Sequence, residues 1–154
     1  ADGLLSLDVW NRSLDRLYRK SDQLYHDIAL DCGISETGYW LMYAIYVHDG
    51  VVSVRDVAEE CCYPKQTISS ALRMLESRGL VETSFLEGSR KAKRVSFTQA
   101  GRAFVAEKIV PASRAERRAF NVLTQGEQTE MLRLVDKYVT AIQEQIDAMR
   151  GVAK

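Results

Sequence analysis

Two clusters of side chains carry the hydrogen-bonding and charge pattern that reads or neutralises a nucleic acid. Lys65, Gln66, Thr67, Ser69, Ser70 and Arg73 are all types that reach base edges or phosphates. Arg90, Lys91, Lys93 and Arg94 then crowd four cations into five residues, more like charge than solvation needs and a pattern that phosphates would neutralise. The chain has 21 basic and 21 acidic residues and no net charge. Residues 63–102 nevertheless hold eight basic residues against three acidic ones, so the neutral total hides a local excess of five. Such asymmetry fits a nucleic-acid patch on a balanced body. An ordinary solvated face is the plain alternative for either cluster alone.

Other chemistry is thinner. The two histidines, His26 and His48, show no metal-ligand spacing with each other or with a cysteine, so neither a metal nor a cofactor is expected. No nucleophile elbow, metalloprotease, phosphate-loop or dinucleotide motif occurs, and no enzyme is expected. The three cysteines are an odd set, with Cys61 and Cys62 adjacent, which reads as a reduced, cytoplasmic protein rather than a disulfide framework. Ala1-Asp2-Gly3 has no basic leader, and no apolar run approaches the ~20 residues that span a bilayer. Seven of the nine Trp and Tyr residues lie between Trp10 and Tyr46; they read first as core. At 46% apolar and 27% charged residues, 154 residues suffice for one folded domain without disulfides.

Stepping along the chain gives the elements that must position the clusters. Residues 4–31 read as a helix with a heptad-like seam of Leu7, Trp10, Leu14, Leu17, Leu24 and Ile28, ended at Cys32-Gly33. Ser35 caps a second helix to about His48, and Val51-Val52 reads as a very short strand. Ser53 caps a short helix to about Cys61; Pro64 opens another, with Ile68, Ala71, Leu72 and Leu75 on one stripe and Gly79 as its stop. Leu80–Phe85 and Arg94–Phe97 read as a hairpin turning at Glu87-Gly88-Ser89. Thr98 caps a helix over about 99–121 that Pro111 should kink or split. Thr124 with Glu127 is a capping box for a last helix over about 125–149, whose seam is Leu132, Val135, Val139, Ile142, Ile146 and Met149.

Two short helices, a tight turn and a basic hairpin are the layout of a winged helix, whose second helix fits a major groove. The expected fold is therefore mainly α with a small β-hairpin wing, an α+β winged helix-turn-helix. At this point the sequence resembles the MarR family of transcription regulators over nearly its whole length. Val57-Ala58-Glu59-Glu60 and Tyr63–Leu72 are similar to the family's helix-turn-helix. Leu75-Glu76-Ser77-Arg78-Gly79-Leu80-Val81 resembles its exit into the wing, and Phe97-Thr98-Gln99-Ala100-Gly101 the motif that closes it. Two positions depart: Ser89-Arg90-Lys91 stands where many members carry Asp-Arg-Arg, and Cys62 takes a turn position often filled by Gly. A positive φ there costs on the order of 1 kcal/mol.

The resemblance implies a single 1–154 domain, with a DNA-binding lobe over 35–100 and dimerisation helices at 4–31 and 101–150. It implies a homodimer on a pseudo-palindromic operator of double-stranded DNA, contacted by Lys65, Gln66, Thr67, Ser69, Ser70, Arg73, Arg90, Lys91 and Lys93, with repression the expected sign. It also implies a pocket for a small aromatic or amphipathic effector, with Tyr18, Tyr39, Trp40 and Tyr43 as candidates against a plain packing role. Cys61 and Cys62 are redox candidates on the same ground, although Cys61 falls on the apolar face of its helix. A winged-helix module that binds another protein, without sequence-specific DNA binding, is the alternative.

Overall fold

The computed structural model describes residues 6–151. The chain divides between Ser113 and Arg114 into two compact units. The first holds α1 (Leu7–Asp31), α2 (Glu36–Val47), β1 (Val51–Ser53), α3 (Val54–Cys61), α4 (Lys65–Ser77), β2 (Val81–Phe85), β3 (Lys93–Phe97), α5 (Gln99–Phe104) and a π turn (Val105–Ile109). α6 (Val110–Phe120) crosses the division, and α7 (Gln125–Arg150) makes up most of the second unit. The fold is mostly helical with one small antiparallel sheet. The expected start of the first helix at residues 4–5, and the opening Ala1-Asp2-Gly3, lie outside the described residues.

Capping chemistry sets the boundaries. Ser6, Ser35, Ser53 and Thr98 each accept a hydrogen bond from the backbone N–H three residues on, which satisfies a donor the helix itself cannot. Thr124 and Glu127 form the full reciprocal box at the start of α7, as expected from their spacing.

Val51–Ser53 is a third strand of the sheet rather than an isolated one. The order is β1-β3-β2, with Val52 opposite Val95 and Thr83 opposite Val95 on the other side. Val81, Val95 and Phe97 point into the core, where they meet Leu41, Met42 and Ile45 of α2, Val57 of α3 and Ile68, Leu72 and Leu75 of α4. Each such side chain contributes about 1.5–3 kcal/mol on leaving water. That burial anchors a hairpin too small to be stable alone.

Pro111 acts one turn earlier than its position suggests. It has no N–H to give the Glu107 carbonyl. The helix widens just ahead of it: residues 105–109 form a π turn, in which the Val110 N–H reaches back to Val105. α6 then runs through Pro111 without a break. Gly101 is required for a different reason. A Cβ there would overlap the Leu80 carbonyl oxygen, so α5 lies against the β2 entrance only because residue 101 has no side chain.

Candidate nucleic-acid interface

α4 is two-faced. Ile68, Ala71, Leu72 and Leu75 are buried, while Lys65, Gln66, Ser69, Ser70 and Arg73 are exposed. Thr67 sits between the faces, half-buried. The exposed residues recur at the i, i+3, i+4 spacing that places them on one side of a helix. Arg73 Nη2 lies 3.5 Å from Ser70 Oγ, its one described side-chain contact. The turn into α4 passes through Cys62 at φ 53°, ψ 22°. Cys62 is therefore in the left-handed region, which costs a non-glycine residue about 1 kcal/mol.

The wing tip is shaped by Ser89. Its Oγ accepts hydrogen bonds from the Lys91 N–H (3.2 Å) and the Ala92 N–H (2.8 Å), and Gly88 takes φ 73°. Ser89 thus organises the backbone of the tip, and the exposed Arg90 and Lys91 ride on the loop it closes.

The four wing cations do not share one surface, which the sequence cluster alone suggests. Side chains alternate along a strand. Lys93 is in phase with the buried Val95 and Phe97, and its ammonium stands 5.4 Å from the centre of the Phe85 ring across the ladder. Arg94 is on the opposite face, with Nε 3.1 Å from Ser84 Oγ. Ser84 gives Arg94 a fixed direction that periodicity alone would not have revealed. Among the described residues, no ion pair neutralises Lys65, Arg73, Arg90, Lys91, Lys93 or Arg94.

The aromatic candidates separate. Trp40 and Tyr43 line a cavity of about 330 Å³ together with Val47, Glu60, Cys61 and Tyr63. Tyr39 is 1% exposed in the core and Tyr18 is 52% exposed on α1, and neither lines that cavity. Tyr25 of α1 packs on Trp40 instead, ring centres 4.7 Å apart. Tyr63 is the wall the sequence did not single out; it lies in the turn between α3 and α4, outside any periodic pattern.

Cys61 faces this cavity, and burial holds its thiol above the usual range, helped by the Glu60 charge. Cys62 is exposed, its Sγ donating to the Glu59 carbonyl, and Cys32 is buried with its thiol also pushed up by burial. Among the described residues no three ligating side chains gather to hold a metal ion. No described helix is long and apolar enough to cross a membrane.

A helix-turn-helix that presents a polar face and is backed by a basic three-stranded wing defines a winged-helix protein. The sequence profile of the MarR family matches residues 33–94. Solved structures with the same fold include a MarR-family regulator from Neisseria meningitidis, 18% identical, covering 90% of this chain and 97% of that one with a TM-score of 0.75. The S. aureus MepR–DNA complex is 16% identical, with 90% and 99% covered and a TM-score of 0.69. Bordetella bronchiseptica BpsR, whose DNA binding is regulated by 6-hydroxynicotinic acid, is 21% identical, with 82% and 98% covered and a TM-score of 0.61. No curated protein sequence matches the chain significantly. The matched segment and the shared fold together make this a winged-helix chain similar to the MarR family.

Proposed function

We propose that this protein is a homodimeric, sequence-specific transcription repressor. Each protomer sets α4 in the major groove of one half of a pseudo-palindromic operator and its wing on the flanking backbone. The observation that carries the reading is the exposed polar face of α4, Lys65 to Arg73, opposite a fully buried apolar face. The unpaired cations of the wing support it. The MepR relative was solved on DNA, which makes the same docking the natural expectation here.

Dimer formation is supported by two helices that leave their apolar seams in water. Leu7, Leu17 and Leu24 are exposed on α1; Leu132, Val135, Val139 and Ile142 are exposed on α7. Exposed apolar stripes of this length are characteristic of association surfaces. The cavity beside Trp40 and Tyr43 is the proposed effector site. Tyr63 on its wall stands two residues before α4, so a bound molecule would press on the entry to that helix. The BpsR relative gives precedent for a small aromatic effector.

Selection of bound sequences from a random double-stranded DNA library by the purified protein tests this reading. An enriched site with two-fold symmetry is expected, together with light scattering at about twice the 17.4 kDa chain mass. Binding without sequence enrichment favours the protein-interaction alternative.

A further inference from the structure

The cavity beside α2 and α3 has a chemistry narrower than "small aromatic effector". Trp40 and Tyr43 meet edge to face at 90°, ring centres 6.1 Å apart, and so make a corner of two π surfaces. Tyr63 adds a third ring. Among the described residues that line it, Glu60 supplies the one carboxylate, and there is no Lys or Arg. Burial holds the Cys61 thiol protonated, and burial with the nearby Glu36 and Cys61 does the same for the Tyr63 hydroxyl, which also bonds Thr37. His48 Nε2 lies 2.6 Å from Glu60 Oε1 and fixes the carboxylate at the rim.

Three electron-rich aromatic rings with a single carboxylate favour a cation over an anion. At about 330 Å³ the space is at the small end of ligand pockets and suits one or two rings. We infer that this cavity binds a small organic cation, an aromatic or quaternary amine, with Trp40, Tyr43 and Tyr63 as its cage and Glu60 as its counter-charge. The consequence for DNA rests on the effector reading given above; the binding itself does not.

Titration calorimetry on the 154-residue protein at about pH 8 tests it, with benzyltrimethylammonium, benzyl alcohol and benzoate as cationic, neutral and anionic probes. The cation should bind about tenfold tighter than the alcohol, and benzoate weakest. Glu60→Gln and Tyr43→Leu should each weaken the cation about tenfold and the alcohol less than about twofold. Circular dichroism and thermal melts confirm that the variants fold. His48→Ala removes the carboxylate's partner but keeps its charge, and should preserve cation binding; a loss equal to that of Glu60→Gln overturns the counter-charge role. Benzoate or benzyl alcohol binding as tightly as the cation overturns the ligand class and leaves the effector cavity standing. If no probe binds, both fall. Cation binding that depends on Glu60 but leaves operator affinity unchanged supports the site and removes its role as an effector site.

Discussion

Glu76 and Thr83 tie α4 to the wing. A single carboxylate oxygen of Glu76, at the end of α4, accepts from both the Thr83 backbone N–H (3.1 Å) and its hydroxyl (2.6 Å), and the site is half-buried. Thr83 lies on the sheet face shared with Val81 and Lys93, the face on which α4 packs. Position on the helix and position on the wing are therefore coupled through one side chain.

Loosening that tie should cost stability and coordination together. Glu76→Gln or Thr83→Val should lower folding stability by about 1–2 kcal/mol in urea unfolding, the range for a charge-assisted bond partly open to water. A double-mutant cycle for operator binding between Glu76→Gln and Lys91→Ala should give a coupling of at least about 0.5 kcal/mol. Strict additivity would mean that helix and wing dock independently.

The helix face and the wing tip should fail differently. Arg73→Ala should cost about 1–3 kcal/mol on operator DNA and relax preference at one position. Lys91→Ala should weaken operator and scrambled DNA alike and lower the salt slope by about one per lost phosphate contact in each subunit. Fluorescence anisotropy across a salt series separates the two. Equal losses on both DNAs for both variants would refute this division of labour.

Two glycines make a controlled pair. Gly101→Ala drives a methyl into the Leu80 carbonyl and should destabilise by about 1–3 kcal/mol. Gly126→Ala, in the first turn of α7 with open space around it, should be neutral or stabilise by up to about 1 kcal/mol. Thermal melts of the two variants should move in opposite directions or differ by several degrees.

The thiols should react in order of exposure. Iodoacetamide at neutral pH should label Cys62 first, with Cys61 and Cys32 slower because burial keeps them as thiols. Cys62→Gly should remove the left-handed strain and raise stability by up to about 1 kcal/mol. Mass spectrometry of timed quenches reads the first, and urea unfolding the second.

Acid should weaken the start of α7. The backbone and side-chain bonds from Thr124 hold the Glu127 carboxyl below its usual range. A depressed carboxylate contributes stability above its unfolded pKa and loses it as pH falls through the folded value. Helicity followed by circular dichroism should therefore drop below the ordinary Glu range of about 4.3. Glu127→Gln should flatten that part of the curve, and an unchanged acid limb would contradict the assignment.

Local chemistry was legible in the sequence because its causes are local. Ser35, Ser53, Thr98 and Thr124 each cap the helix that their side-chain type and position announce. Ile68, Leu72 and Leu75 repeat at helical spacing, so the buried face of α4, and with it the exposed set from Lys65 to Arg73, follows from periodicity. What depended on packing at a distance was not legible. Strand register decided that Lys93 and Arg94 face opposite ways, because a pleat alternates sides whatever the charges. The pairing of β1 with β3 turned two valines into a third strand. Tyr39 sank into the core and Tyr63 came from beyond the next helix to join Trp40 and Tyr43, since the position of a wall is set by how α2 and α3 pack. Glu76 meets Thr83 only because α4 and β2 pack together, seven residues apart along the chain. Sequence specifies which groups are available; the tertiary fold decides which of them meet, because that is settled by burial of the shared core and not by any residue's own preference.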